Sequence, residues 1–240
     1  MTPAEAARAD LARRMVQVEK MAALGRMAAG IVHEVNNPLS AILGLTEVLL
    51  RRPDTAPESL PTLLKIDAEV RRIHKLMVDM LGFSRGATPA MGPVDLRRVA
   101  EETIDLAAPE LKRRRVVALI EAAPDLPAAV GDAHALKQVL FNLLLNAAQA
   151  IDGQGGHIWL RLDEAAGRLQ VEAADDGPGV PPEIADRIFE PFFTTKPEGQ
   201  GTGLGLFTSA EIVRHHGSRL WVEPRPGGGA VFGFDLPTAL

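Results

Sequence analysis

The sequence predicts an α+β protein in two parts: a hairpin of two long helices, followed by a sandwich of helices and hairpin-linked strands. The character of the chain changes near residue 86, where long helical patterns give way to short apolar runs that alternate with helices. Aromatic residues make up only 4% of the 240 residues and Tyr is absent, which favours helix–helix packing through aliphatic side chains. We therefore expect one domain over residues 1–86 and a second over residues 87–240.

The first part carries two apolar stripes with the spacing of helices that pack lengthwise. The first stripe is interrupted only by a proline and consists of Leu24, Ala28, Ile31, Val35, Pro38, Ile42, Leu45 and Leu49. The second follows a proline-containing connection (residues 51–61) and consists of Leu63, Ile66, Val70, Ile73, Met77 and Met80. Two such helices cannot complete a bundle alone, whereas a second copy gives a dimeric four-helix bundle. We therefore expect a homodimer.

The second part begins after a glycine- and proline-rich segment, residues 82–92, which predicts a hinge. Helices are expected over Asp95–Lys112, Gly131–Ile151, Pro182–Phe189 and Leu204–His215. Strands are expected over Val116–Glu121, His157–Asp163, Leu169–Ala174, Arg219–Pro224 and Ala230–Leu236. The turn at Ala165–Gly167 joins two of the strands as a hairpin, which favours an α+β sandwich over a parallel doubly wound sheet.

Composition excludes several classes of function. The net charge of −5 offers no support for general nucleic-acid binding. The chain has no cysteine, so disulfides, thiolate metal sites and cysteine nucleophiles are excluded. No apolar run approaches the roughly 18 residues of a membrane span, and the first residues do not form a secretory signal. We therefore expect a cytoplasmic protein with neither a nucleic-acid partner nor a membrane segment.

The segment His33-Glu-Val-Asn-Asn-Pro-Leu lies in the middle of the first helix. His33 falls between positions of the apolar stripe and is expected to face outward, near Glu34 and Asn37 on the helix surface. A neutral imidazole has a free lone pair and a pKa near neutrality, so it is a usable nucleophile. The pattern alone leaves open a solvated surface histidine.

Asn142 and Asn146 lie one helical turn apart inside a leucine-rich helix. Asparagine is mildly unfavourable in a helix interior, so two of them on one face suggest a polar ligand. Hydrated Mg²⁺ fits, because it takes few direct protein oxygens and keeps several waters. Solvent-facing or capping amides are the alternative.

Two further segments are rich in glycine. Asp175-Asp-Gly-Pro-Gly follows a strand, where a carboxylate can accept a hydrogen bond from an exocyclic amine and glycines allow close approach of a flat ring. Gly199–Leu206 opens a helix, which suits an anion, and Lys196 just upstream could reach a terminal phosphate. An ordinary acidic turn and a flexible loop are the respective alternatives. Between the two segments, Phe189, Phe192 and Phe193 are expected to anchor the edge of a loop to the core.

The order and spacing of these motifs resemble the sensor histidine kinases of two-component signalling, over about residues 15–238. His33–Leu39 resembles the phosphoacceptor box of that family, and Asn142–Asn146 resembles its N box. Asp175–Gly179, Phe189–Phe193 and Gly201–Leu206 resemble the first glycine box, the F box and the second glycine box. The forms His-Glu-x-Asn-Asn-Pro-Leu and Phe-Glu-Pro-Phe-Phe-Thr-Thr-Lys resemble the nitrogen-regulation branch.

The resemblance implies a dimeric phosphoacceptor hairpin joined to an ATP-binding sandwich of the histidine kinase/Hsp90-like type. It implies autophosphorylation of His33 from ATP, assisted by Glu34, and phosphoryl transfer to an aspartate of a response regulator. Asn37 stands where relatives hold a residue that orients water during dephosphorylation of the partner. The remaining implied roles are Mg²⁺ coordination by Asn146 with Asn142, recognition of the adenine amine by Asp175, and shaping of the pocket and phosphate lid by Gly177, Gly179, Gly201, Thr202, Gly203, Leu204 and Gly205.

Two departures from the family pattern bear on function. Many members carry a basic residue where this chain has Gln149, so the phosphate charge must be met elsewhere, and Lys196 is our candidate. No sensor domain is recognised ahead of the hairpin in this sequence, so we expect either the catalytic core of a longer kinase or a stand-alone cytosolic protein that receives its signal through residues 1–23. Three rival interpretations stay open: a plain ATPase with a dimerising hairpin, a non-enzymatic regulator that binds a receiver domain, and a kinase whose phosphatase action on its partner outweighs its kinase action.

Overall fold

The computed structural model describes residues 38–46, 48–52, 55–67, 69–70, 73, 90–151, 155–196 and 201–239. The chain divides into two compact units, Met1–Ala87 and Thr88–Leu240. The division lies next to the boundary expected at residue 86. Within the described ranges, no helix combines the length and the apolar character that crossing a membrane requires.

The first unit is helical over residues 38–46 and 48–51, and again over residues 60–67, 69–70 and 73. A short 3-10 helix, Pro57–Ser59, leads into the second of these stretches. Pro61 therefore lies in the first turn of a helix and not in the connection, which is allowed because the first-turn N–H groups have no intrahelical partner. His33, Glu34 and Asn37 lie outside the described residues, as does the hinge expected at 82–92 up to residue 89.

The described part of the first helix buries a different face from the predicted stripe. The residues of this helix that lie buried or half-buried on one face are Leu39, Leu43, Thr46 and Leu50. The predicted stripe, next to it on the helix, is exposed in the single chain at Ile42 (41%), Leu45 (66%) and Leu49 (41%). A helix of a four-helix bundle contacts two neighbours, so it needs two adjacent apolar faces, and the single chain covers only one of them.

The second unit is a sandwich of three helices on a five-stranded sheet, as the α+β prediction required. The helices are α1 (Leu96–Arg114), α2 (Ala133–Ala150) and α3 (Gly205–His215). The strands are β1 (Gly92–Val94), β2 (Val116–Ala122), β3 (Ala129–Gly131), β4 (Gly156–Ala165), β5 (Arg168–Asp175), β6 (Trp221–Pro224) and β7 (Ala230–Pro237). The sheet has the order β2-β4-β5-β7-β6, parallel between β2 and β4 and antiparallel elsewhere. Strands β1 and β3 form a separate antiparallel pair.

Burial explains how the layers assemble. Alternate residues of β4, namely Ile158, Leu160 and Leu162, are buried, so one face of the sheet turns inward. These residues join the apolar sides of the three helices in one core. Helix α2 packs against both α1 and α3, which makes it the central helix. The side chains on the remaining face of α2 are therefore held on a rigid support.

Side-chain caps define where two helices begin. Asp95 accepts a hydrogen bond from the N–H of Arg98 at 3.1 Å and begins α1. Asp132 accepts from the N–H groups of His134 and Ala135 at 2.9 and 3.1 Å and begins α2. The helix predicted to start at Gly131 thus starts at Ala133, because Gly131 belongs to β3.

Two other sequence-based predictions need correction. The helix predicted over residues 182–189 is two 3-10 turns, Pro182–Ile184 and Arg187–Phe189, because so short a segment can close few i→i+4 hydrogen bonds. Gly92, predicted as part of the hinge, lies in β1, and the N–H of Ala90 already donates to Asp132 Oδ2 at 2.9 Å. The end of the predicted hinge is therefore bound to the second unit.

Candidate functional site

The face of α2 that carries Asn142, Asn146 and Gln149 supports the candidate site. These residues are spaced at i, i+4 and i+7, so their side chains follow one line along the helix. Asn142 meets the start of α3, whereas Asn146 and Gln149 both meet Lys196, and both of these segments are ones that the sequence analysis singled out.

Asn142 holds α2 against the start of α3. Its amide nitrogen donates to the carbonyl oxygen of Gly205 and to Ser209 Oγ, both at 3.3 Å. The structure thereby brings the end of the second glycine-rich segment against α2, and it rules out a solvent-facing amide at this position. Because the nitrogen is turned toward α3, the amide oxygen is the atom turned away from it.

Asn146 and Gln149 meet the side chain of Lys196. The Lys196 ammonium donates to Asn146 Oδ1 at 3.4 Å and to Gln149 Oε1. A positive charge therefore lies beside the position at which the sequence lacks a basic residue. This charge belongs to Lys196, which follows Gln149 by 47 residues in the sequence.

Asp175 lies at the C-terminal end of the same helix face. A Cβ atom on Gly177 would lie 3.5 Å from Ala150 and 2.9 Å from Asp175 Oδ1. The carboxylate is buried, and its Oδ1 accepts hydrogen bonds from the N–H groups of Gly177 at 2.9 Å and Ala230 at 3.4 Å. Burial raises the pKa of Asp175, and these two N–H groups act against the rise. A buried, oriented carboxylate of this kind can accept a hydrogen bond from an amine of a bound ring.

The second glycine-rich segment packs against the segment around Phe192. Gly203 has φ +65°, its carbonyl oxygen accepts from the N–H of Phe192 at 3.0 Å, and a Cβ there would lie 2.3 Å from the Phe192 carbonyl carbon. A Cβ on Gly201 would lie 2.5 Å from Thr194 Oγ1 and 3.2 Å from Lys196 Cδ. Only glycine fits at position 203, where a Cβ would meet backbone atoms and φ is positive, whereas a Cβ at position 201 would displace the side chains of Thr194 and Lys196. Residues 197–200, including Gly199, lie outside the described residues.

The structure also places Thr202 and Gly179, two further residues of the glycine-rich segments. Thr202 Oγ1 accepts from the N–H of Leu204 at 3.2 Å just before α3 begins at Gly205. Gly179 has φ +78°, and a Cβ there would lie 2.9 Å from the carbonyl oxygen of Gly229. The first turn of α3 therefore lies beside Asn142, and the start of a helix favours an anion.

The prediction that three phenylalanines anchor this region is right for two of them. Phe189 packs edge-on against Phe232 with ring centroids 6.5 Å apart, and Phe193 lies beneath the guanidinium of Arg187 at 4.6 Å. Both also pack against the core. Phe192 is 61% exposed and has φ +66°, and its N–H donates to the Gly203 carbonyl oxygen, so it is held by its backbone and not by burial of its ring.

One contributor to the site was missed by the sequence reasoning. The loop between β6 and β7 contains Gly227–Gly229, and Gly229 and Ala230 both touch Asp175. The available signal was the run of three glycines between two strands, which predicts a turn but not its contact partner.

The site therefore has two chemically different ends along about 12 Å of α2, the rise of eight residues. One end presents a buried carboxylate, Asp175. The other presents amides, an ammonium group and the N–H groups of a helix start. Such an arrangement suits a ligand with an amine-bearing ring at one end and negative charge at the other.

Known families match both units. Residues 23–89 match the family "His Kinase A (phospho-acceptor) domain", and residues 131–240 match "Histidine kinase-, DNA gyrase B-, and HSP90-like ATPase". The sensor histidine kinase ZraS of Klebsiella oxytoca is 37% identical over 231 residues, which cover 96% of this chain and 49% of that protein. The chain thus spans about half the length of this relative.

Solved structures agree with the sequence matches. Full-length ShkA in complex with AMPPNP matches with a TM-score of 0.74 and 28% identity, over 89% of this chain and 46% of ShkA. The nucleotide-free catalytic domain of histidine kinase ThkA matches with a TM-score of 0.57 and 32% identity, over 62% of this chain and 95% of that domain. ThkA in complex with the response regulator protein TrrA matches with a TM-score of 0.66 and 28% identity, over 96% of this chain and 66% of that one. The chain belongs to the two-component sensor histidine kinases.

Proposed function

We propose that this chain is a protein histidine kinase core that transfers the γ-phosphoryl group of ATP to His33 and from there to an aspartate of a response regulator. Residues 1–86 would serve as the dimerisation and phosphoacceptor domain, and residues 87–240 as the ATP-binding domain. The observation that carries the proposal is the meeting of Asp175, Asn146 and Lys196 along one face of α2. Phosphoryl transfer requires mainly positioning and neutralisation of charge, and this face offers groups for both.

The two ends of the site suit the two ends of ATP. Asp175 would accept a hydrogen bond from the adenine amine, with Gly177 and Gly179 leaving room for the ring. The first turn of α3 would bind phosphate oxygens. The segment that leads into this turn consists of Gly201, Thr202, Gly203, Leu204 and Gly205. This assignment is supported by the buried, oriented carboxylate at one end and the start of a helix at the other.

Asn146 suits a Mg²⁺ ion, because its Oδ1 already accepts a hydrogen bond from a cationic group, Lys196. Asn142 would contribute through its amide oxygen, the atom turned away from α3. Bound Mg²⁺ would supply neutralisation of phosphate charge. Asn142 itself keeps the end of the glycine-rich segment against α2 whether or not a metal is bound.

Lys196 would neutralise charge on the terminal phosphates. Replacing Lys196 with glutamine is expected to slow autophosphorylation by roughly 100-fold, the effect of removing one charge-stabilising donor from an active site. Lys196→Arg keeps the positive charge and is expected to stay within about tenfold of the wild type. The measurement is the initial rate of label transfer from γ-labelled ATP at saturating nucleotide.

A variant that moves the positive charge from position 196 to position 149 provides the sharpest control for the role of Lys196. The double variant Lys196→Gln/Gln149→Lys returns an ammonium group to the same corner of the site, because the two side chains touch. We expect it to recover most of the lost rate, whereas Lys112→Gln, at an exposed position of α1, should change nothing. A Lys196→Gln variant with the wild-type rate would disprove the role.

His33 would be the nucleophile, and Glu34 would assist by accepting a hydrogen bond or a proton from the imidazole. Asn37 would orient water for dephosphorylation of the partner, so we propose a phosphatase activity toward the response regulator beside the kinase activity. These roles are supported by the match of residues 23–89 to the phosphoacceptor family. The nitrogen-regulation form of the His33–Leu39 and Phe189–Lys196 segments supports assignment to that branch. We place the protein in the cytoplasm, where ATP is available.

We further propose two protein partners, a second copy of this chain and the receiver domain of a response regulator. The exposed stripe on the first helix supports the second copy, because three large apolar side chains in a row are left uncovered by the single chain. The complex of ThkA with a response regulator supports the receiver domain.

Replacing Leu45 with glutamate is expected to dissociate the dimer. Leu45 is 66% exposed in the single chain and lies in the middle of the stripe that would meet the second copy. A carboxylate buried there without a partner is strongly unfavourable, and a two-fold interface contains it twice. Size-exclusion chromatography with light scattering should show the mass of two wild-type chains falling to that of one.

Ser40→Glu is the matched control for Leu45→Glu. Ser40 is exposed on the same helix, and at about 100° per residue it points away from the Ile42 side of the helix. This variant should keep the mass of two chains. Dimers of undiminished stability in Leu45→Glu would exclude the stripe as the dimer interface.

The proposed function as a whole is tested by incubating the chain with γ-labelled ATP and Mg²⁺. The expected product is a label on the protein that acid removes and base does not, the behaviour of phosphohistidine. A chain that binds no ATP in the presence of Mg²⁺ would support the non-enzymatic regulator instead.

A further inference from the structure

The loop between β6 and β7 has an unusual backbone. It runs from Arg225 to Gly229 between the paired strand ends Pro224 and Ala230. Gly227, Gly228 and Gly229 have φ values of +91°, +106° and +99°, a region that side chains other than glycine rarely adopt. Three such residues in a row shape a sharp turn, but a turn alone does not require all three.

Within the described residues, the three glycines differ in what a Cβ atom added at each would meet. A Cβ atom on Gly229 would lie 1.8 Å from the carbonyl oxygen of Asp175 and 3.2 Å from the Cα atom of Asp176. For Gly227 and Gly228, no atom lies within 4 Å of the Cβ position. The backbone of Gly229 is thus pressed against the backbone of Asp175, and the next residue, Ala230, donates its N–H to the Asp175 carboxylate at 3.4 Å.

The loop is held in place from its other side by Arg225. The Arg225 N–H donates to the carbonyl oxygen of Gly229 at 3.1 Å, and Arg225 Nη1 donates to that of Gly228 at 2.9 Å. The guanidinium group lies 4.3 Å from the centroid of the Trp159 ring, a cation–π contact with β4. A chain of contacts therefore runs from Trp159 through Arg225 and Gly229 to Asp175.

We infer that the β6–β7 loop, residues Arg225–Gly229, together with Ala230 at the start of β7, is a positioning element that orients the Asp175 carboxylate and so determines the preference for adenine over guanine. The inference rests on the proposed function, in which Asp175 accepts a hydrogen bond from the adenine amine. Gly229 and Ala230 act through Asp175 and do not themselves contact the base.

The physical reason is the directionality of the hydrogen bond. A hydrogen bond weakens steeply when its angle departs from linearity, so a carboxylate must be held at a defined angle to select an amine. Guanine carries a carbonyl oxygen where adenine carries its amine, and a fixed carboxylate oxygen repels it. A carboxylate that can turn away loses affinity for adenine and also loses its repulsion of guanine, so selectivity falls more than total affinity.

The test compares Gly229→Ala with Gly228→Ala. Both introduce a side chain at a similar positive φ and so carry a similar backbone strain, but only Gly229→Ala meets Asp175. The dissociation constants of ATP and GTP are measured by calorimetry on the full chain. We expect the ATP-to-GTP selectivity to fall by about tenfold or more in Gly229→Ala, the value of one hydrogen bond to a charged group, and to be unchanged in Gly228→Ala. Equal selectivity in the two variants would overturn the inference.

A second pair of variants tests the positioning role of the loop if Gly229→Ala does not fold. Arg225→Leu removes the contact with Trp159 without introducing a clash, and it is expected to lower the selectivity in the same direction. Arg161→Leu is its control, because Arg161 is a half-exposed arginine on the same strand, β4, whose guanidinium pairs with Glu121 on β2 and not with Trp159. Selectivity retained in Arg225→Leu, or lost equally in Arg161→Leu, would overturn the inference.

The failure of this inference and that of the proposed function are distinguishable. If the wild type has no preference for ATP, Asp175 does not recognise adenine, and the adenine assignment within the proposed function fails. If the wild type prefers ATP and Asp175→Asn abolishes the preference while Gly229→Ala and Arg225→Leu keep it, only the positioning role is wrong.

Discussion

Replacing His33 with glutamine is expected to reduce the acid-labile label acquired from γ-labelled ATP to the background level. A neutral imidazole keeps a lone pair on one ring nitrogen, whereas the lone pair of an amide nitrogen is delocalised and is not a nucleophile. The loss should therefore be complete and not partial, because no second acceptor replaces the first. The measurement is the label on the protein after acid and after base treatment, with wild type and variant compared at equal ATP concentration.

Two controls make the His33 experiment specific. His134→Gln alters an exposed histidine at the start of α2, away from the phosphoacceptor segment, and should retain the label. ATP affinity should be unchanged in His33→Gln, because the residues proposed to bind ATP all belong to the second unit. Sustained ATP hydrolysis in both wild type and variant, with no acid-labile label on either, would favour the plain ATPase.

Replacing Asp175 with asparagine is expected to weaken ATP binding by roughly 10- to 150-fold, which corresponds to the 1.5–3 kcal/mol of a hydrogen bond to a charged group. The asparagine oxygen can still accept from the N–H groups of Gly177 and Ala230, so the fold around it is preserved. Its amide nitrogen then presents donors to the adenine amine, where the carboxylate presented an acceptor. Calorimetric titration with ATP and Mg²⁺ measures the loss.

The same variant should be at least as stable as the wild type. Burial raises the pKa of Asp175, so the ionised carboxylate is less favourable in the folded protein than in the unfolded chain. This penalty is present above the pKa of the folded state and disappears as the pH falls through it. The melting temperature of Asp175→Asn should therefore exceed that of the wild type near pH 7, and the difference should shrink as the solution is acidified.

Asp176→Asn is the matched control for both measurements. Asp176 is the neighbouring carboxylate, and it accepts from the N–H of His157 at 2.8 Å and lies 3.2 Å from His157 Nδ1. It is not proposed to contact nucleotide, so its loss should leave ATP affinity within a few-fold of the wild type. Equal losses of affinity in the two variants would mean that Asp175 has no special role in recognising adenine.

The sequence alone was sufficient for several elements whose signal is local. The start of α1 follows from Asp95, whose carboxylate caps the N–H group three residues on. The hairpin of β4 and β5 follows from two alternating apolar runs around the turn at Ala165–Gly167. Strands β1 and β3 were missed because three residues are too short to show a period of two.

For the candidate site, too, the sequence identified local motifs but not the long-range contacts between them. The motifs around Asn142, Asp175 and Gly201 could be named from composition and order, because each is a short run of unusual residue types. The partners of these residues could not be named with the same certainty. The contact of Lys196 with Asn146 joins residues 50 positions apart, and that of Ala230 with Asp175 joins residues 55 positions apart.

What the sequence by itself determined is therefore the α+β class of the second unit and the resemblance to histidine kinases. Only the tertiary structure decided which apolar face of the first helix is buried in the single chain, which phenylalanine stays exposed, and which glycine presses on Asp175. The physical reason is the range of the forces involved. Periodicity, caps and turns depend on residues within about four positions, whereas the orientation of a buried carboxylate depends on every strand and loop that packs against it.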